Sequence, residues 1–173
     1  MDANEALHEL MNLYGQDVWN LAFSLTRRAE AADDIAQDVF IKAYQKWGSY
    51  RGEAAVKTWL LKIARNTALD YQRSAFWRKV TLVDNLFDRG AHPSAEEEAL
   101  ERLVQDEAWQ QVLRLPIKYR EVLVLHAHHG LTVAEIAELL DVLEPTVKSR
   151  LRRARSKVME AWKGREAHGN ESF

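Results

Sequence analysis

Apolar residues recur at every third or fourth position along almost the whole of this 173-residue chain. That spacing places them on one face of an α-helix, whereas a half-buried strand needs strict alternation, of which the chain has no strong run. Only seven glycines and three prolines interrupt the pattern. The sequence therefore predicts an all-α fold with seven helices, over 5–28, 31–47, 54–77, 95–113, 116–129, 133–140 and 145–162.

Residues that begin or end helices mark several boundaries. Gly130 suits a left-handed stop after the fifth helix. Pro116 suits the first turn of that helix, because its missing N–H would be unpaired there anyway, and Pro145 is compatible with the first position of the seventh helix. Thr132 and Glu135 have the spacing of a capping box at the start of the sixth helix.

Residues 80–95 have no clear helical period and contain Gly90 and Pro93. We interpret 79–94 as a flexible acidic linker between two small helical domains, at 1–78 and 95–163, followed by a frayed tail at 164–173. The net charge is +1 over 1–80, −6 over 81–111 and +3 over 112–173, for a total of −2. The near-neutral average therefore hides two weakly basic segments that flank an acidic one.

Several classes of function are disfavoured by what the sequence lacks. Without cysteine there is no disulfide, thiolate metal site or cysteine nucleophile. No apolar stretch approaches the ~20 residues that cross a bilayer, and the N-terminus lacks the features of a signal peptide. There is also no phosphate-binding loop of the G-x-x-x-x-G-K-[ST] type. We expect a cytoplasmic protein with no membrane insertion, no cofactor and no catalytic residues.

The sixth and seventh helices are joined by only four residues, 141–144, as in a helix-turn-helix. An apolar stripe, Val147, Leu151, Ala154 and Val158, would hold the seventh helix to its domain. The other side is rich in donors, and 148–157 contain six positive and no negative residues, which suits the major groove and its phosphates. The alternative is a bundle helix with a solvated basic face. We expect DNA contacts from Thr146, Lys148, Ser149, Arg150, Arg152, Arg153, Arg155 and Lys157.

The second helix has an unusual outer side. Asp34, Gln37, Asp38 and Ile41 fall together there, opposite the apolar face. An exposed isoleucine among polar groups indicates a protein-contact patch, and the alternative is a plain solvated helix face. A catalytic carboxylate pair would need a cleft and a partner group, and the sequence shows neither.

The third helix and the loop before it combine basic, amide and aromatic side chains, which suits single-stranded nucleic acid: cations track the backbone, aromatic rings stack on bases, and an amide reads a base edge. A loop of this kind can receive an unstacked base. The alternative is that Trp47 and Trp59 are core residues. The strip consists of Trp59, Lys62, Asn66 and Arg73, and the loop adds Tyr50 and Arg51.

Three histidines cluster at the end of the fifth helix, at His126, His128 and His129. Imidazoles can bind zinc, but no cysteine and no partner at i,i+4 completes a site. Cations are also favourable at a helix C-terminus in their own right. We therefore predict no metal site and a dipole or surface role for these side chains.

The order of motifs resembles one family. D-D-I-A-Q-D-V-F at 33–40 precedes W-L-L-K-I-A-R-N-T-A-L-D-Y-Q-R at 59–73, and L-P-I-K-Y-R-E-V-L-V-L at 115–125 precedes G-L-T-V-A-E-I-A-E-L-L at 130–140 and T-V-K-S-R-L-R-R-A-R at 146–155. Over about 10–162 the chain resembles an extracytoplasmic-function (group IV) sigma factor of bacterial RNA polymerase. Any one motif is moderately specific, whereas the whole set in this order is highly specific.

The resemblance implies a role for each surface. The outer side of the second helix would dock on core RNA polymerase, and the acidic linker would run through its cleft. The seventh helix would read the minus-thirty-five promoter element. An anti-sigma factor, often membrane-bound in this family, would cover the same surfaces. Recognition and melting of the minus-ten element would fall to Tyr50, Lys57, Lys62, Arg65, Asn66 and Arg73.

The turn before the seventh helix departs from the family pattern, in which Leu-Gly, an apolar residue and Ser-Glu-Gly follow one another. Asp141 stands where glycine would be left-handed, and aspartate tolerates that conformation better than most residues. Leu143 replaces the serine N-cap, which forfeits about 0.5–2 kcal/mol. Two competing functions remain open: a stand-alone dimeric helix-turn-helix regulator, and an all-α metal-dependent enzyme that uses the histidines.

Overall fold

The computed structural model describes residues 2–81 and 106–169, with side chains at 2–75 and 106–167. Over those ranges every regular element is a helix and no strand occurs, as the sequence predicts. The chain divides into two compact units, Met1–Glu101 and Arg102–Phe173. The predicted linker begins inside the third helix, and the rest of it lies outside the described residues.

The first unit is a three-helix bundle of α1 (Ala3–Thr26), α2 (Ala29–Lys46) and α3 (Val56–Thr81), with a 3-10 turn at Trp47–Ser49. Each helix packs on both others. The side chains that are almost fully buried between them are Val18, Leu21, Leu25, Ile35, Val39, Leu60 and Leu61. Burying each of these branched apolar side chains contributes roughly 1.5–3 kcal/mol, which makes this core the main stabilising feature of the unit.

Side-chain hydrogen bonds join all three helix pairs of the first unit. Trp19 Nε1 donates to Asp33 Oδ1 at 2.7 Å between α1 and α2. Lys42 Nζ donates to Thr67 Oγ1 at 3.2 Å between α2 and α3. Gln72 Nε2 donates to the Leu25 carbonyl oxygen at 2.7 Å between α3 and α1. These directional bonds fix the register of the helices more specifically than apolar contact alone.

The helix boundaries in the first unit lie one to four residues from their predicted positions, and two of the ends have a clear local explanation. Helix α1 stops two residues early, because Arg27 takes a left-handed conformation (φ 58°) and donates its N–H to the Phe23 carbonyl. The sequence has no glycine at this position that would predict the end of the helix. Helix α3 continues to Thr81 rather than 77, since residues 75–81 contain no glycine or proline that would end it.

The second unit contains α4 (Glu107–Arg114), α5 (Ile117–Leu123), α6 (Val133–Leu140) and α7 (Glu144–Gly169). Helix α5 runs directly into a π-helical turn at Val124–His128. Helix α7 packs on each of the other three helices. The core of the second unit is lined by Val122, Leu125, Ile136, Val147, Leu151 and Ala154.

The helix ends of the second unit confirm most of the predicted local chemistry. Gly130 is left-handed at φ 72°. Thr132 and Glu135 form both bonds of the capping box, with Glu135 Oε2 accepting from the Thr132 N–H at 2.8 Å. Helix α5 begins one residue after Pro116, which acts as its N-cap. These ends hold α6 in place ahead of the turn.

Two predicted segments in the second unit need correction. The predicted tail at 164–173 is wrong at its start, because α7 continues to Gly169 over a run that lacks proline and is rich in good helix formers. The fourth helix begins at Glu107, where Asp106 caps it through a 2.9 Å bond from the Ala108 N–H. The earlier part of that prediction, 95–105, lies outside the described residues.

Candidate functional site

Helix α7 has the two-sided character that the sequence predicts. Val147, Leu151 and Ala154 are buried and Val158 is half-buried, so the apolar stripe faces its own unit. The other side is open to solvent: Lys148, Arg152, Arg153, Arg155 and Lys157 are exposed, and Thr146, Ser149 and Arg150 are half-exposed. The helix therefore presents donors and positive charge on a surface that its own unit leaves uncovered.

The turn between α6 and α7 is built as a compact link. Asp141 is left-handed at φ 54°, and the Val142 N–H donates to the Ala137 carbonyl at 3.0 Å. The Leu143 carbonyl accepts from the Val147 N–H at 3.3 Å, so Leu143 is the N-cap, with a side chain that is 76% exposed. Pro145 is the second helical residue rather than the first. The geometry is that of a helix-turn-helix despite the unusual residues.

Cations from two helices surround one aromatic ring in this unit. Lys118 Nζ of α5 lies 5.0 Å from the centroid of Tyr119, and Lys157 Nζ of α7 lies 5.8 Å from the same centroid. A hydrogen bond from Arg153, with the charge of Lys118, lowers the pKa of the Tyr119 hydroxyl below its ordinary value of 10.0, against an opposing effect of desolvation. Arg153 of α7 therefore acts on Tyr119 of α5, an interaction that the helical wheel did not predict.

The α2 patch, defined by Asp34, Gln37, Asp38 and Ile41, is exposed largely as predicted. Asp34 and Gln37 are exposed, and Ile41 is 56% exposed. Asp38 is half-buried, and its Oδ2 lies 2.8 Å from Lys42 Nζ. Because Lys42 also bonds to α3, Asp38 is part of the helix packing as well as of the surface.

Three aromatic residues form a cluster at the start of α3. The centroid of Trp59 lies 4.9 Å from that of Tyr50 and 6.1 Å from that of Trp47. The Tyr50 hydroxyl donates to the Ala54 carbonyl, which folds the loop onto the cluster. All three rings are half-exposed, so Trp47 and Trp59 are neither core residues nor free surface residues.

The other residues predicted for α3 and its loop have different surroundings. Arg51, Lys62, Asn66 and Arg73 are exposed, while Lys57 and Arg65 are half-buried. Lys57 Nζ lies 3.8 Å from Asp17 Oδ1 of α1. Arg73 Nη1 lies 3.9 Å from Asp70 Oδ1 on its own helix. The structure thus leaves a polar strip exposed along α3 and engages two of its cations with carboxylates.

The histidine cluster does not lie wholly on the surface. His129 is only 4% exposed, so the predicted surface role is wrong for it, because the π-helical turn rotates its ring inward. His126 Nδ1 is 2.8 Å from the Leu131 carbonyl. The ring of His128 lies edge-on to Trp109 and to His129, at 5.1 and 4.8 Å between centroids.

In 2–81 and 106–169, no group of three or more histidine, cysteine, aspartate or glutamate side chains is placed to hold a metal ion. Across the same ranges no helix has the length and apolar character needed to cross a membrane.

The fold and these surfaces define an all-helical protein with a basic helix-turn-helix, and family comparisons agree. The family described as Sigma-70 region 2 matches residues 10–78, and Sigma-70 region 4 matches residues 105–158. The RNA polymerase sigma factor YlaC of Bacillus subtilis is 32% identical over 157 residues, which cover 90% of this chain and 91% of YlaC. The ECF RNA polymerase sigma factor SigW of the same organism is 30% identical, over 87% and 86%.

Solved structures show the same architecture. The sigma factor RpoE of Bartonella quintana, solved in complex with the anti-sigma factor NepR, matches with a TM-score of 0.72 and 25% identity, over 92% of this chain and 98% of that one. CnrH matches with a TM-score of 0.67 over 93% and 90% of the two chains. This chain belongs to the sigma-70 family and is an alternative sigma factor of the extracytoplasmic-function group. Sigma factors are transcription initiation factors.

Proposed function

We propose that this sigma factor binds core RNA polymerase and directs initiation at promoters that it recognises through both of its units. The observation that carries the proposal is α7: an acid-free basic face from 148 to 157, held to its unit by a buried apolar stripe and preceded by a tight turn. A helix of that kind enters the major groove with its N-terminal half. We assign the minus-thirty-five element to this helix.

The first unit is proposed to bind core polymerase and to contact the minus-ten element. The α2 patch is proposed to dock on core polymerase, because an isoleucine that is 56% exposed beside carboxylates gains from burial against a complementary partner. The polar strip of α3 is proposed to contact the minus-ten element. No nucleotide hydrolysis is required, since melting is driven by capture of unstacked bases.

The aromatic cluster of Trp47, Tyr50 and Trp59 supports the melting step. Its rings are half-exposed and already packed on one another, so a flipped base can stack on a preorganised surface. Stacking of a base on an aromatic side chain is worth about 1–3 kcal/mol. Exposed Lys62 and Asn66 on the following turns are positioned to follow the strand.

Regulation by an anti-sigma factor, possibly anchored in a membrane, completes the proposal. Its support is the similarity to RpoE of Bartonella quintana, which was solved with the anti-sigma factor NepR. A cognate anti-sigma factor added to the chain before core polymerase should abolish transcription, and an excess of core polymerase should restore it.

The proposal is tested by run-off transcription with core polymerase and a promoter library. We expect discrete initiation sites that share sequence at two spaced elements. A folded chain that binds core polymerase yet directs initiation from no promoter would overturn the proposed function.

The docking assignment is tested at Asp34, which is exposed on α2. Asp34→Arg reverses the charge at the N-terminal end of the α2 patch, and we expect core binding to weaken roughly tenfold or more, as for truncation of an interfacial charge. The matched control is Glu9→Arg, the same charge change at an exposed position of α1. Equal holoenzyme assembly by the two variants would contradict docking at this patch.

A further inference from the structure

The cations around Tyr119 come from two different helices of the second unit. Lys118 lies on α5, outside the helix-turn-helix, whereas Arg153 and Lys157 lie one turn apart on α7. Tyr119 is buried in a cluster with Leu115 and with Ala154 of α7, and Leu123 and Val158 pack against that cluster. This packing fixes the phenol in place, so the three cations are held around a rigid centre.

No carboxylate neutralises this cluster among the residues that the structure describes. The ion pairs of Arg28, Lys42, Lys57 and Arg73 lie in the first unit, and none of them involves Lys118, Arg153 or Lys157. Lys118, Arg153 and Lys157 are all exposed, so an external anion can reach them. Converging like charges repel each other, and an anion bound between them removes that repulsion.

We propose that Lys118, Arg153 and Lys157 form one binding site for a backbone phosphate of duplex DNA, with Tyr119 as its positioning residue. The inference rests on the proposed promoter recognition by α7. A helix that lies in the major groove is flanked by the phosphates at the groove edge, and duplex DNA carries one charge per ~1.7 Å of its axis. Lys118 then becomes a DNA contact that the helix-turn-helix pattern does not include.

Tyr119 prepares the site by holding its strongest donor. Arg153 lowers the pKa of the Tyr119 hydroxyl, and the ring of Tyr119 lies beneath Nζ of Lys118 and Nζ of Lys157. A guanidinium already held in one orientation loses less conformational freedom when it binds phosphate. This geometry gives Arg153 a phosphate role, whereas exposed Arg152 keeps the base-reading role.

The site is tested by the salt dependence of promoter binding by the holoenzyme. Each phosphate contact contributes about −0.9 to the slope of log affinity against log salt concentration. We expect Lys118→Ala to reduce the magnitude of the slope by about 1 and to weaken binding roughly threefold to tenfold near 0.1 M salt, equally for all minus-thirty-five variants. The matched control is Lys163→Ala, an exposed lysine further along α7, which should change neither quantity.

Two further variants separate the roles within the site. Arg153→Ala should weaken all promoter sequences alike, whereas Arg152→Ala should change the preferred sequence. Tyr119→Phe keeps the packed ring and removes the hydroxyl, so it should weaken binding less than Arg153→Ala and have no further effect in the Arg153→Ala background. Additive losses for Tyr119→Phe and Arg153→Ala would overturn the positioning role.

The outcomes distinguish this site from the broader function. A slope for Lys118→Ala equal to that of Lys163→Ala, with normal run-off by both, overturns the phosphate site alone. An unchanged slope with weakened binding to core polymerase indicates an acidic protein surface as the ligand and also overturns it. Absence of run-off by the wild-type holoenzyme overturns the proposed function itself.

Discussion

Two adjacent aspartates at the start of α2 have different roles. Asp33 accepts a 2.7 Å hydrogen bond from the indole of Trp19, whose side chain is buried between α1 and α2. Asp34 is exposed on the α2 patch. Sequence reasoning placed Asp34 correctly at the surface but gave Asp33 no role, because helical spacing alone does not show which carboxylate meets a side chain of another helix.

We expect Asp33→Ala to lower the free energy of unfolding by about 1–2 kcal/mol, because the indole N–H loses a charged acceptor in a partly buried position. Asp34→Ala, the neighbouring control, should change it by no more than ~0.5 kcal/mol, as for other surface substitutions. Urea unfolding followed by circular dichroism measures both. Equal losses for the two variants would show that the Trp19 bond contributes nothing specific.

Tyr119 should titrate below the ordinary phenol pKa of 10.0, because Arg153 and Lys118 favour its ionised form. The folded-state pKa is depressed, so the phenolate stabilises the fold above the unfolded value, and that contribution is lost as the pH falls through the folded-state pKa. Arg153→Ala should therefore raise the pKa of Tyr119. NMR titration of ring-labelled tyrosine, assigned with Tyr119→Phe, measures the change, and an unchanged pKa in Arg153→Ala would exclude the hydrogen bond.

At the scale of elements, helix ends with local chemical signals were predictable and those set by packing were not. Gly130, the Thr132–Glu135 box and left-handed Asp141 follow from the residues themselves. The stop of α1 at Arg27 and the inward ring of His129 have no such signal. Arg27 takes its left-handed conformation without being glycine, and His129 ends a π-helical turn that the 3.6-residue spacing does not predict.

The turn before α7 offers a test at this scale. Asp141 holds φ 54°, a conformation that costs about 1–2 kcal/mol for a residue with a Cβ and little for glycine. We expect Asp141→Ala to destabilise the protein by about 1 kcal/mol and Asp141→Gly to be neutral or stabilising. Thermal unfolding measures both, and a Gly variant less stable than the wild type would show that the aspartate side chain itself supports the turn.

At the scale of the whole molecule, the sequence predicted the surfaces better than the contacts between them. The α2 patch, the α3 strip and the basic face of α7 were each visible on a single helix. The bond from Lys42 to Thr67 joins α2 to α3, and the approach of Lys157 to Tyr119 joins α7 to α5. Such pairs are fixed by packing angles, which periodicity does not encode.

The net charge of −2 affects the affinity of the whole chain for DNA. We expect the free chain to bind promoter duplex weakly, with a Kd in the range of ~10⁻⁴–10⁻⁶ M typical of non-specific binding at physiological salt, while the holoenzyme binds the same duplex at least 10³-fold more tightly. A stand-alone regulator would instead bind alone as a dimer, at half-sites about one helical turn apart. Fluorescence anisotropy with and without core polymerase distinguishes the two. Tight, sequence-specific binding by the free chain would favour the regulator, because the α2 patch would then have no required partner.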